Sequence, residues 1–379
     1  MPKKSTSIVI KNLTDDKKYK RTTFDIHNID VGILNALRRV ILSEIPNFGI
    51  PFDPYNKDKT GIFFKENTSS LHNEFLGHRI SLLPVQLDVD DFKDFDSKKY
   101  KCVIDVHNKT NELLNVTTND IDIYDEKDQP YPSQLREKMF PVSPITNDPI
   151  LIVKLNPNIY NNEQGEKLHV TFYPAIGIAH DHSRFCPVST CTFYNIVDDE
   201  KAEEAFQEFR DKYPDEDEAM LRKRFDIHDR YRHYIQNEHG EPNGFRVTIE
   251  SECRLSPIYL FLRAFDVLRD KLKLLRQEKR IQVSKLDESN FAHLLKKENH
   301  TLGNLIQVMF YNMFRRDQDA IDFIGYYLTH PSISEIVVKI KHKKDVPDVK
   351  EAHDTFEDYL EQIEKELMRM KKTIQKYFE

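Results

Sequence analysis

The sequence predicts an α+β protein: two copies of one sheet-plus-helices unit in a single chain, the first copy interrupted by a mostly β module. Three observations carry this reading. The order of elements repeats, two long helices each bear a narrow apolar seam, and the middle third differs in texture from both flanks. At about 100 to 200 residues per domain, 379 residues are enough for two or three cores.

Residues 24–46, FDIHNIDVGILNALRRVILSEIP, read as an entering strand and then a helix. Leu34, Leu37, Ile41 and Ile45 recur at helical spacing and Pro46 ends the run. Past the turn-rich FGIPFDPYNKDKTG, the stretch NTSSLHNEFLGHRISLLPVQLDV closes in an alternation that predicts a strand. From about Val85 to Asn243, polar turns separate short strands such as KCVIDVH, ILIVKLN and HVTFYPA. The acidic, helix-forming DDEKAEEAFQEF follows them, and this third reads as an insertion.

FRVTIESEC, residues 245–253, alternates like a strand, and a long helix opens at Ser256 with Pro257 in its first turn. Along it Ile258, Phe261, Phe265, Leu268, Leu272 and Leu275 step alternately by 3 and 4. Phe356, Leu360, Ile363, Leu367, Met370, Ile374 and Tyr377 do the same at the C-terminus. Burying one Leu or Phe is worth about 1.5 to 3 kcal/mol, so neither seam is left in water. The simplest partner for each is the other; the alternative is that each covers its own sheet.

The repeat is faint in identity and clear in order. Block 24–285 runs strand, N-A-L-R-R helix, a strand region holding Glu74 to Arg79, and seam helix. Block 286–379 runs NFAHLLKKE, a helix opened by HTLGNLIQ, FIGYYLTHP, the strand ISEIVVKI and a seam helix. Ile33-Leu34-Asn35 falls opposite Leu302-Gly303-Asn304.

Composition excludes several functions. Ten glycines stand where about 27 are usual and none forms G-x-G, so phosphate-cradling loops are absent. Lys plus Arg is 56 and Asp plus Glu 63; a net charge of −7 does not predict a nucleic-acid binder. MPKKSTSIVIKN has no apolar signal region and no 18-residue apolar run occurs, so a soluble intracellular protein without a membrane segment is expected. Cys102, Cys186, Cys191 and Cys253 form no C-x-x-C and are expected as thiols. His180, His182, Cys186 and Cys191 are zinc-ligand types at an unfamiliar spacing. The plainer reading is a His-containing loop followed by a strand with Cys191 packed as a small hydrophobe, and the residues leave a metal open.

Arg38 and Arg39 lie about 100° apart on a helix, so at least one points outward. Asn35 and Asn304 either cap their helices or fix the register between the halves. Glu74, His78 and Arg79 read as a buried polar cluster ordering a strand crossing, since no nucleophile or oxyanion site accompanies them. The runs Asp198–Glu204 and Asp215–Glu218 read as solvated faces rather than a Mg²⁺ site, paired with the basic stretch Arg222–Arg232.

Asn35-Ala36-Leu37-Arg38-Arg39, Ser43-Glu44-Ile45-Pro46, Asn67-Thr68-Ser69, Leu71-His72-Asn73-Glu74-Phe75-Leu76-Gly77-His78-Arg79 and Leu83-Pro84 resemble the D subunit of archaeal RNA polymerase, the third subunit of eukaryotic RNA polymerase II. Gly177 to Val188 resembles that family's G-x-G-K-E-H-A-K-[FW]-x-P-V loop, departing at Ala179 and at His180, which replaces Lys. Glu298-Asn299-His300-Thr301-Leu302-Gly303-Asn304-Leu305, Gly325-Tyr326 and His330-Pro331 resemble the partner L subunit, the eleventh in eukaryotes.

The resemblance implies two fused alpha-like dimerisation units forming an intrachain pseudo-dimer, related to the bacterial alpha subunit, as in polymerases of large cytoplasmic DNA viruses. It implies a D-like domain of residues 1–85 and 243–285, an insert at 86–242 and an L-like domain at 286–379. The role implied is a non-catalytic assembly platform without cofactor. It would dock the largest and second-largest subunits and small subunits resembling archaeal N and P, meet DNA or RNA only through the complex, and touch no membrane. Asn35, Arg38, Arg39, Glu74, His78, Arg79, His182, His300 and Asn304 are the implied subunit-interface residues, with Arg39 anchoring the second-largest subunit. Phe261, Phe265, Leu268 and Leu272 would meet Leu360, Ile363, Leu367 and Met370 in the seam. The family's cysteine cluster would be lost, since the insert's candidate positions offer only Cys102, far from Cys186 and Cys191. The compartment implied is the cytoplasm and virion for a virus, the nucleus for a cellular eukaryote. The rival reading is a self-standing dimeric interaction protein built on the two seam helices; a hydrolase has no legible constellation.

Overall fold

The computed structural model describes residues 7–87, 95–157, 165–278, 280–344, 346 and 348–379. The chain begins with the hairpin β1 (Val9–Asp16) and β2 (Arg21–His27) and the helix α1 (Val31–Ser43), which starts at Asp30, whose carboxylate accepts the Gly32 amide. Next come β3 (Asn47–Gly49), β4 (Ile62–Asn67) and α2 (Asn73–Ser81), then β5 (Lys101–His107), β6 (Leu114–Thr117), β7 (Ile121–Tyr124), α3 (Ser133–Met139), β8 (Leu151–Leu155), β9 (Lys167–Phe172) and β10 (Ala175–Gly177). The first unit resumes with β11 (Val188–Asn195), carries the helices α4 (Asp199–Asp211) and α5 (Glu218–His228), and closes with β12 (Gly244–Ser251) and α6 (Pro257–Gln277). The remainder is β13 (Ile281–Asp287), β14 (Asn290–Lys296), α7 (His300–Phe310), β15 (Ile321–Leu328), β16 (Glu335–His342) and α8 (Val349–Gln375).

Two antiparallel sheets of four strands have the same layout, β1-β2-β12-β11 and β13-β14-β16-β15. Each unit is a hairpin, a helix, a second pair of strands and a long helix, so the predicted repeat is present as a fold. Two insertions interrupt the first copy. Residues 47–177 supply the sheet β4-β9-β5-β7 and the pairs β6-β8 and β3-β10, and α4 with α5 sits between β11 and β12.

These sheet memberships differ from the boundaries expected at 86 and 242. Phe48, Ile50, Ile62, Leu76 and Ile80 belong to the insert's core, not to that of the first unit, while β11 pairs with β12 in the first unit's sheet. The strand expected at the end of NTSSLHNEFLGHRISLLPVQLDV is also corrected. Glu74 to Arg79 lie on the helix α2, Pro84 to Leu87 belong to no strand, and Asp88 to Asp90 fall outside the described residues. Within α2 only Leu76, Gly77, Ile80 and Ser81 are buried, so an alternating reading could not match its single inward face.

One continuous core joins both units. It contains Phe24, Leu37 and Ile249 of the first sheet and helix, Leu305, Ile336 and Val338 of the second, and both long helices. α6 and α8 run antiparallel, as Lys371 Nζ meets Asp266 at 2.7 Å, Arg269 meets the Met368 sulfur at 3.7 Å and Arg276 meets Glu361 at 3.6 Å. Phe261, Phe265, Leu268, Leu272, Leu275, Phe356, Leu360, Ile363, Leu367 and Ile374 of the predicted seams are buried, and Met370 packs partly buried against them. The seam ends differently from the heptad pattern. α8 stops at Gln375, Tyr377 turns outward, and Phe378 takes the inward place, its ring meeting that of Phe24 edge-to-face with centroids 5.5 Å apart. Among the described residues, no helix is long and apolar enough to cross a membrane.

Candidate subunit-docking surface

The sequence-predicted interface residues fall on two separate faces. The first lies where α1 crosses α7. Each helix begins with a side-chain cap, Asp30 for α1 and Asn299 for α7, the latter accepting the Thr301 amide at 2.8 Å. The contacts are reciprocal. Gly32 sits so close to Val308 that an added Cβ would lie 2.7 Å from its Cγ2, while Arg39 Nε donates to Thr301 Oγ1 at 2.8 Å. The second residue of each helix thus meets the ninth of the other, the pattern a two-fold axis produces.

Asn35 and Asn304, each the fifth residue of its helix, line a shared cleft of about 110 Å³ together with Arg39, His300, Thr301 and Tyr326. The capping alternative for these asparagines is therefore corrected: the caps are Asp30 and Asn299, and Asn35 Oδ1 instead accepts from Arg38 Nε and Nη2 at 3.1 and 3.0 Å. Arg38 is half-buried beside Cys191 and Phe193 of β11, whereas Arg39 is the exposed member of the pair. His300 Nδ1 lies 3.2 Å from the Tyr326 hydroxyl, and Gly303 lets that ring approach, since a Cβ there would lie 2.5 Å from Tyr326 Cδ2. The cleft is lined by cationic and neutral polar groups and by no carboxylate.

A charge cluster that no sequence motif announces ties the first unit to the second. Lys271 Nζ of α6 sits 2.6 Å from Glu44 Oε2, just past α1, and 3.3 Å from Glu298 Oε2, just before α7. Burial pulls the Lys271 pKa down, but Glu298 and Glu44 outweigh it and hold the ammonium above its ordinary range. Burial raises Glu298 against the opposing pull of Lys271. Residues 44, 271 and 298 look like three unrelated surface charges in sequence, so no local signal announces the cluster.

The second face joins α2 to the loop after β10. Glu74, His78 and Arg79 are exposed on α2, which corrects the expected buried cluster. Arg79 ties the helix to β8 through the carbonyls of Ile152 at 2.8 Å and Leu151 at 3.0 Å. Gly77 presses on Phe52, leaving 2.3 Å from an added Cβ to the ring, and Phe52 meets His78 edge-on at 5.1 Å. Across from α2, Arg184 donates to Ile50 O at 2.8 Å and Phe52 O at 3.0 Å, pinning the loop to the same segment. His182 Nδ1 accepts the Arg184 amide at 3.2 Å. Its pKa lies below the ordinary histidine value, first through burial, then through the charges of Arg184 and His78. Phe75 and Leu82, 60% and 61% exposed, stand out on this face, and only the excess of apolar residues beyond one helical stripe signals them.

The loop's cysteines are as the plainer reading expected. Cys191 is buried in β11, with its thiol pushed up to about 12 by desolvation, and Cys186 donates to the carbonyl of Val188 at 3.1 Å. Among the described residues no three His, Cys, Asp or Glu side chains are grouped to hold a metal. The acidic run on α4 is paired with the basic run, Arg222 of α5 meeting Glu203 at 2.6 Å and Arg230, just past α5, meeting Asp199 at 2.9 Å.

Comparison with known proteins bears on both units. The model of the RNA polymerase Rpb3/Rpb11 dimerisation domain matches residues 23–272, and a second model of the same description matches 292–373. The DNA-directed RNA polymerases I and III subunit RPAC1 of Saccharomyces cerevisiae is 27% identical over 298 residues, covering 68% of this chain and 84% of the yeast protein. Subunit 3B of the DNA-directed RNA polymerases IV and V of Arabidopsis thaliana is 25% identical over 315 residues, 71% of this chain and 90% of its own length. Subunit 3 of RNA polymerases II, IV and V of the same plant is 28% identical, and the match spans 56% of its length.

Proposed function

The chain belongs to the RNA polymerase Rpb3/Rpb11 dimerisation-domain family, and from that premise we propose that it is the assembly platform of a DNA-directed RNA polymerase, with both partners of the platform fused in one polypeptide. Its two units pair within the chain and present one joint surface to the largest and second-largest subunits. Small subunits resembling archaeal N and P bind at the periphery, nucleic acid is met only through the complex, and the chain resides where its polymerase does. Phosphodiester synthesis belongs to the large subunits.

The observation that carries this reading is the reciprocal contact of α1 with α7 over a core shared by both units. A self-standing dimer would need an open seam. Both seams are consumed inside this chain, which favours the platform. Arg39 is the candidate anchor for the second-largest subunit, since it is exposed at the rim of a cleft without carboxylates, and Arg is enriched among interface hot spots.

The test is a pull-down of the tagged chain from its native source. Two chains several times its mass are expected to copurify at raised salt, and isolation of the chain alone would overturn the proposal. Arg39→Ala is expected to cost about 1 kcal/mol of fold stability through the lost Thr301 contact and to weaken recovery of the second-largest chain. Thr301→Val removes the internal contact but keeps the guanidinium, so it should leave recovery intact. Equal loss in the two variants would assign Arg39 to internal packing alone.

A further inference from the structure

We infer that the groove between α6 and α8 docks an acidic polypeptide segment of a partner, at a site that neither unit could form alone. Two helices of opposite direction form its walls. Arg269 and Lys273 line it from α6, and Lys365, Arg369 and Lys372 from α8, around a space of about 510 Å³. One carboxylate lines it, Glu364, and that group is held by Arg276. Arg269, Lys365 and Arg369 each have a carboxylate neighbour at 2.7 Å, on Asp270, Glu361 and Glu366, and none of these acids lines the groove. Lys273 and Lys372, one on each wall, form no ion pair among the described residues, although the charge of Lys273 acts on Glu364.

This positive strip stands on a chain whose net charge is −7. Three of the five cations are paired with acids outside the groove, so the repulsion left along the two packed helices is that of Lys273 and Lys372, which nothing in the seam below requires. The apolar positions close the core and the Asp266 to Lys371 pair already links the helices. An opposite charge from outside would relieve that repulsion.

The lining favours polypeptide over nucleic acid. Met368 places a polarizable thioether among the cations, suited to an apolar side chain, and a polypeptide offers carboxylates and apolar groups together whereas a phosphodiester backbone offers charge alone. Charges farther away than a screening length of about 8 Å contribute little, so the cations around the groove itself set what it attracts. Each exposed ion pair contributes at most about 1 kcal/mol, so the segment must present several carboxylates and its binding must weaken with salt.

The experiment uses the purified full chain and a fluorescent short peptide of alternating Glu and Leu, read by anisotropy. Binding is expected to tighten as salt is lowered. It should fall by about tenfold in Lys273→Glu/Lys372→Glu and by less in Lys273→Gln/Lys372→Gln, and the Gln-for-Glu peptide should not bind. Thermal melts establish that the variants fold; the Gln pair carries the test if the Glu pair does not. Equal affinity for the native chain and the Gln pair would overturn the inference, as would binding of a labelled oligonucleotide with none of the acidic peptide. No polymerase subunit enters the assay, so its outcome is separate from that of the recruitment test.

Discussion

His293 of β14 is fully enclosed, its ring stacked 4.2 Å from Phe356 of α8 and its Nδ1 3.4 Å from Val338 O. Burial lowers its pKa to about 4, and His342 and His353 nearby push in the same direction while two backbone groups oppose them. The folded chain therefore holds it neutral down to that value, whereas in the unfolded chain it takes a proton near 6.5. As pH falls from about 6.5 to 4 the unfolded state binds a proton that the native state refuses, and stability drops. A shift of this size corresponds to about 3 kcal/mol, lost from the unit whose helix closes the seam. Urea unfolding of the native chain and of His293→Phe at pH 7 and pH 4.5 checks this. The variant is expected to lose markedly less stability between the two conditions, and equal losses would assign the acid sensitivity to other groups. Glycine works at the same scale. Gly32 and Gly303 are present because Val308 and Tyr326 occupy the space a side chain would need, so they set how closely α1 approaches α7 and α7 approaches β15.

The two long helices were legible because their signals are redundant. Ser256 and Pro257 mark the start of one, and the alternation of threes and fours persists over both whole helices. The truncation at the end of α8 was not legible, since a heptad pattern continues on paper wherever an aromatic residue happens to follow. That difference is testable. Phe378→Ala is expected to destabilise the chain measurably by removing the contact with Phe24, while Tyr377→Ala, which loses only a 3.4 Å hydroxyl contact with the Ile8 carbonyl, should cost less. In the middle of the seam, Leu268→Ala or Leu360→Ala should each cost about 2 to 5 kcal/mol, read as a lowered denaturant midpoint. α2 escaped detection for the opposite reason. It spans nine residues with Gly77 in the middle and no side-chain cap, so its helical character comes from packing on Phe52 and β8 rather than from propensity. The candidate surface divides along the same line. Asn35 and Asn304 could be paired from the repeat, and Arg39 and His300 from the resemblance, but Thr301, Tyr326 and the Glu44–Lys271–Glu298 cluster depend on helices meeting from distant parts of the chain.

For the whole molecule, the consequence of fusion is thermodynamic. A short connector replaces association of two chains with an effective concentration of order millimolar. Against partners near micromolar this is worth about 4 kcal/mol, comparable to much of a domain's stability. A protease site built into the connector between α6 and β13 isolates that contribution without altering either unit. The intact chain is expected to unfold at a temperature independent of its concentration. The nicked chain, held together only by the shared core, should melt lower on each dilution because its halves then dissociate by mass action. The insert has its own core of Phe48, Ile104, Val170, Phe172 and their neighbours, so a further transition that ignores both nick and dilution should accompany the first. A nicked chain whose main transition also ignores dilution would mean that the two units fold independently and that the seam contributes little, and the platform would then lose its physical basis.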